Sequence, residues 1–223
     1  MLKELIHLWK HRGIMMKAVD TFAEMLDDCT YVFEHSWVFF AEGLASEKEK
    51  QDIHERDRMV NTKERQIRRL LVEHLTMNPG QDASGCLALM SMVKDAERIG
   101  DYSKNIFDLA SLAGGNMPTL RHLDDLRTVQ QRIETSLKSL KGTFVDSDEE
   151  TAKEILHGYL ETKEVCNKVL QSLFREDMPK QEALVTVLLA RYLKRVNSHV
   201  SNVASGIIYP LDKIDFVRGG LLE

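Results

Sequence analysis

Two short runs hold the residue types most able to do chemistry. In DAERIGDYSKNI, residues 95–106, Glu97, Asp101 and Asn105 recur at every fourth position. In a helix that spacing stacks them as a ladder, each about 40° round from the last. Val93 begins the same line one turn earlier, so the ladder grows from an apolar position and looks inward or towards a groove. In DRMVNTKE, residues 57–64, Asp57, Asn61 and Glu64 share one helical face. If the two faces oppose each other on antiparallel helices, four carboxylates converge. Crowded carboxylates repel and cannot all stay ionised without a cation. An all-oxygen donor set suits a hard or borderline ion, Mg, Mn or Fe ahead of Zn. Gly100, which has no Cβ, lets a facing helix or an ion come close. The competing reading pairs these acids with Arg56, Arg58, Lys63, Arg98 and Lys104 on a wet surface. For a lone pair of acids on one helix that reading wins, because exposed charge pairs at this spacing are commonplace.

A second constellation is Glu4-x-x-His7 and Glu154-x-x-His157. Glu-x-x-His is the ligand spacing of di-iron four-helix bundles, which also need a further Glu from each of two other helices at mid-bundle depth. Glu4 sits in the first turn of the chain, so the match is weak; it defines the enzyme alternative. No phosphate-binding Gly-rich loop, nucleophile elbow or HExxH motif is present. The three cysteines, Cys29, Cys86 and Cys166, lack metal-type or redox-type spacing and read as reduced, buried and inert.

The elements that must position these residues are helices. Aromatics make up only 7% of the chain while Leu, Met, Glu, Lys and Arg abound, a balance that favours helix over strand. Breaks at Asn78-Pro79-Gly80, at 114–118 and at Met178-Pro179, with weaker ones near 43–46 and 142–147, predict helices over 3–42, 46–77, 82–112, 119–141, 147–176 and 180–209. Ser46 with Glu49 and Ser147 with Glu150 have capping-box spacing. Long helices with short connections fold back on one another. The expected architecture is all-α, two tandem antiparallel three-helix bundles over 1–115 and 116–223. A net charge of −5 gives no electrostatic footprint for nucleic acid, and the basic run Lys63–Arg69 reads as a solvated helix face. The opening stretch is too short and too charged to span a membrane. It could touch one, but packing on its own bundle is preferred and the expected location is the cytoplasm.

The two halves echo each other. When YLKRVNSHVSNV (192–203) is set under residues 95–106, Arg195 falls on Arg98, Asn202 on Asn105 and Val203 on Ile106. IRRLLVE (67–73) likewise sits over LQSLFRE (170–176). With these motifs in place, DAERIGDYSKNI resembles the L-E-R-I-G-D-H-A-x-N-I signature of the PhoU family of phosphate-uptake regulators. DRMVNTKERQI resembles that family's D-x-x-V-N-x-x-E-x-x-I helix, RYLKRVNSHVSNVASGIIYPL its second copy, and KIDFVRGG its closing segment.

The resemblance implies six helices in two bundles, a metal site in each, and a cytoplasmic, often dimeric regulator rather than an enzyme. It also implies partnership with a phosphate transporter or permease and a phosphate-sensing histidine kinase, with membrane association only through them. The second copy departs from the pattern. Lys194 stands for Glu97, Ser198 for Asp101, Leu160 for Asp57, and Glu164 and Asn167 for Asn61 and Glu64. Metal binding is therefore carried over to Asp57, Asn61, Glu64, Glu97 and Asp101 only. Lys194 is expected to repel a cation and to pair with Glu164.

Overall fold

The computed structural model describes residues 13–43, 46–113 and 119–215. Six α-helices follow one another: α1 Gly13–Glu42, α2 Glu47–Met77, α3 Ala83–Leu112, α4 Leu123–Asp146, α5 Glu149–Ser172 and α6 Lys180–Ile208, with a 3-10 turn at Leu211–Lys213. Each break rests on local chemistry. Ser46 and Glu49 form the expected capping box, with Ser46 Oγ accepting from the Glu49 amide and the Glu49 carboxylate accepting from the Ser46 amide. After α2 the chain turns at Pro79-Gly80, and Gly80 takes φ +77°, a conformation open to glycine.

Three expectations need correction. Ser147 does not cap α5; it closes α4 in a left-handed conformation, and Asp148 caps α5 by accepting from the amides of Glu150 and Thr151. Gly142 does not break α4, which runs on to Asp146 because Thr143 and Phe144 are buried and hold the last turn in the core. Nor does α5 reach residue 176: it stops at Ser172 in a run of turns. The first twelve residues and the 114–118 linker, where the division between halves was expected, lie outside the described residues.

α2 packs on α1 and α3, α5 packs on α4 and α6, and the two triples meet through α3 against α6 and α1 against α4. The Cys29 thiol donates to the Ala96 carbonyl and the Phe39 ring lies 4.8 Å from that of Phe107, so α1 and α3 run parallel with α2 antiparallel between them. Tyr102 lies by Tyr192 while Asp95 bonds Asn202, so α3 and α6 run antiparallel. One apolar core extends through all six helices, from Phe22, Met25 and Cys29 through Met92 and Ile99 to Phe144, Leu156 and Val200. Phe22 of α1 meets Phe144 of α4 edge-on, with ring centroids 4.7 Å apart.

Candidate functional site

The α2–α3 face assembles from a close helix approach. A Cβ on Gly100 would come within 3.3 Å of Val60 Cγ1, a tight contact, so the missing side chain eases the approach of α3 to α2 at this level. Around that contact stand the five residues singled out by sequence. Glu64 and Glu97 are buried, while Asp57, Asn61 and Asp101 are half-buried.

Lys94, which sequence reasoning passed over, ties the two helices together. Its ammonium lies 2.6 Å from Glu97 Oε2 and 3.7 Å from Glu64 Oε1. Arg98 reaches Asp101 at 3.0 Å and Glu97 at 3.6 Å, and Arg68 lies 2.8 Å from Glu64. Asn61 donates to the Asp57 backbone carbonyl. The acids are thus brought to one seam, yet each of three has a basic neighbour. Among the described residues, no three His, Cys, Asp or Glu side chains are gathered closely enough to hold an ion.

Two oxygens are left over. Asp57 Oδ1 is buried without a hydrogen bond, and Glu64 Oε1 faces Arg68 and Lys94 without an aligned one. Burial pushes the Asp57 carboxyl above the usual carboxylate range, with Asp101 adding to the rise and Lys104 opposing it. Asp101 is raised by burial and then by Glu97, against Arg98 and Lys94. Orphaned, partly desolvated carboxylate oxygens match the donor chemistry of a hard cation. An ion at this seam would compete with Lys94 and Arg98 for the same oxygens.

The corresponding seam of the second triple is closed from within. Lys194 is half-buried, and its ammonium donates to Asn167 Oδ1 at 2.6 Å, bridging α6 and α5. The pairing expected with Glu164 is not made; Glu164 is exposed and binds Lys168 at 2.9 Å along its own helix. The reason is reach, since Asn167 faces α6 whereas Glu164 points to solvent. Cys166 beside it is buried, and burial pushes its thiol up to about 11 even with Lys194 opposing. Cys29 is raised further by burial and Cys86 to about 11, so all three thiols stay protonated and inert.

Other polar groups went unread in the sequence. Asp28 is only 1% exposed, and binds Arg56 at 2.5 Å and Lys63 at 2.6 Å. Lys63 therefore does not belong to a solvated face. At the α3–α6 seam buried Asp95 accepts from Asn202 at 2.9 Å and lies 2.7 Å from His199 Nδ1, and the Tyr102 ring stacks on that imidazole. The available signal was an acid inside an apolar stripe, which marks burial but not the partner. Glu154 and His157 are exposed on α5, and Glu4 and His7 lie outside the described residues.

Residues 17–110, which contain the whole α2–α3 seam, match the family model described as the PhoU domain. Over that segment, less than half of the chain, the sequence is similar to the PhoU domain. Two phosphate-specific transport system accessory protein PhoU homologs, from Xylella fastidiosa strains 9a5c and Temecula1, are each 26% identical over 140 residues, 59% of this chain. Those residues cover 57% and 56% of the relatives, so the chain spans little more than half the length of the PhoU homologs it matches. The phosphate transport system regulatory protein PhoU from Streptococcus pneumoniae superposes with a TM-score of 0.77 over 98% of this chain and 100% of that one, at 14% identity. PhoU from Pseudomonas aeruginosa gives 0.70 over 92% and 97%, at 19% identity. At these identities the likeness is one of fold, and it extends the PhoU architecture over all six helices.

Proposed function

We propose that this chain is a PhoU-type accessory regulator of phosphate uptake and phosphate-starvation signalling. It works by protein contact with a phosphate transporter or permease, a sensor kinase, or both. The observation that carries this reading is the PhoU domain match over 17–110, joined to relatives named as accessory proteins of phosphate-specific transport. A regulator of this kind works through shaped surface rather than a reacting centre. No helix among the described residues is long and apolar enough to cross a membrane, so the proposed membrane association runs through a partner. Cytoplasmic location and homodimer formation belong to the same proposal. Its test is a phosphate-responsive reporter in cells lacking the gene. Derepression in high phosphate that the intact gene reverses is the expected result. Unchanged reporter output and unchanged phosphate uptake would overturn it.

The proposal includes one cation held by Asp57, Asn61, Glu64, Glu97 and Asp101. A bound Mg, Mn, Fe or Zn ion would neutralise the crowded acids and tie α2 to α3. Metal analysis of the purified protein should find about one equivalent, lost in the Glu97→Ala/Asp101→Ala double variant; equal metal in both sinks the site. One observation favours the metal-free version, because Lys94 and Arg98 already supply positive charge to Glu97 and Asp101. In that version the double variant binds no less metal than the wild type and melts lower.

A further inference from the structure

α2 carries six cations between residues 56 and 69, and they divide into two sets. Arg56 and Lys63 turn to Asp28 on α1, and Arg68 turns to Glu64. Arg58, Arg65 and Arg69 are exposed, and among the described residues no carboxylate lies within ion-pair distance of any of them. The Nε–H groups of Arg58 and Arg65 donate to the carbonyls of His54 and Asn61, each at 3.2 Å, which lays both stems along the helix. At 100° per residue the three arginines fall within about 40° of one another, on a straight ridge about 16 Å long. Exposed Glu55 and Glu73 bracket the ridge on the same side of the helix. Along this line the charges read minus, plus, plus, plus, minus, on a chain whose net charge is −5.

We infer that the α2 ridge of Arg58, Arg65 and Arg69 docks an acidic helical segment of a partner protein. Guanidinium groups bind carboxylates through paired N–H donors, and they are spaced here as the exposed rows of a helix are spaced. A partner helix with carboxylates at i, i+7 and i+11 would meet all three, and basic residues beyond them would meet Glu55 and Glu73. A second copy of the ridge does not fit, because an antiparallel two-fold pairing sets arginine against arginine and glutamate against glutamate. An anionic membrane fits poorly as well: it is a plane of charge, and Glu47, Glu49, Glu55 and Glu73 are all exposed on the same helix, where Met59, Val72 and Met77 are the large apolar side chains exposed. The inference is independent of the transporter reading, since any acidic helix of this pattern satisfies it.

The test uses the full chain and a labelled, helix-stabilised peptide carrying Glu at i, i+7 and i+11, with the same composition scrambled as control. Fluorescence anisotropy should show salt-sensitive binding that weakens about tenfold or more in the Arg58→Glu/Arg65→Glu/Arg69→Glu variant. A peptide with Lys at the three positions should bind that variant and not the wild type. The three side chains are exposed, so the variant should keep its circular dichroism and melting profile; if it does not, the peptide series against wild type decides alone. Equal binding of patterned and scrambled peptides overturns the inference. So does ridge-dependent binding to phosphatidylglycerol vesicles or to duplex DNA without binding to the patterned peptide.

Discussion

Asp28 shows how one buried charge organises its surroundings. It sits among Met25, Leu26, Cys29 and Val32 on the inward face of α1, and two cations from α2 converge on it. Replacing it by Asn takes the buried acid from Lys63, which is only 13% exposed, and leaves that lysine only the exposed Glu24 at 3.4 Å. A loss of about 2–4 kcal/mol in urea unfolding is expected for Asp28→Asn. Arg56→Met, at a side chain 43% exposed, should cost under about 1 kcal/mol; equal losses would show that Asp28 does not depend on its buried partner. Asp57 answers to pH. Burial raises its carboxyl in the folded state, so its protonated form favours the fold. That contribution is complete below the unfolded value and is lost as pH rises through the folded one. Asp57→Asn should therefore raise the melting temperature at pH 7 in the absence of added metal, with the gain fading as pH falls towards about 4. Because the residue is only half-buried, the gain should be small, about 1–2 °C. The acid ladders were legible as residue types and spacing. Lys94, Asp28 and His199 were not, since the partner of a buried charge lies on another helix and sequence spacing says nothing of which.

Helix ends were legible wherever Pro, Gly or a capping pair left only one reading. They were missed where burial overruled local signals, as at Gly142, or where Asp148 took the role that spacing gave to Ser147. Asp148→Ala should cost about 1 kcal/mol through the loss of two capped amides, read as a shift in denaturation midpoint. The α3–α6 contact offers a sharper test. A Cβ on Gly206 would meet Met92 Cγ and Sδ, both at 2.7 Å, closer than atoms tolerate. Gly206→Ala should destabilise by about 1–2 kcal/mol despite the better helix propensity of alanine. In a Met92→Ala background the same change should become neutral or stabilising. Additive effects in the double variant would remove Met92 as the cause.

At the scale of the whole molecule the duplication was legible and the union of its halves was not. Amphipathic patterns tell that each helix has an apolar face; they do not tell that α3 and α6 share one core and a polar seam of Asp95, His199 and Asn202. A shared core predicts one unfolding transition. The two tryptophans stand at positions 9 and 37, so tryptophan fluorescence reports the first half while circular dichroism reports all helices. The two probes should give coincident urea curves. A dichroism transition unseen by fluorescence would show that the second triple melts alone.

The α3–α6 seam also sets a clock during synthesis. α3 ends at Leu112 and α6 at Ile208, so the helix that completes the shared core is finished 96 residues after the one it covers. At ribosomal speeds of about 5–20 residues per second, that is about 5–20 s in which Met92 and Asp95 have no α6 to cover them. Throughout that interval the nascent first triple carries a bare apolar strip with an unanswered carboxylate at its centre. A cell making this protein must shield that strip until the last helix emerges.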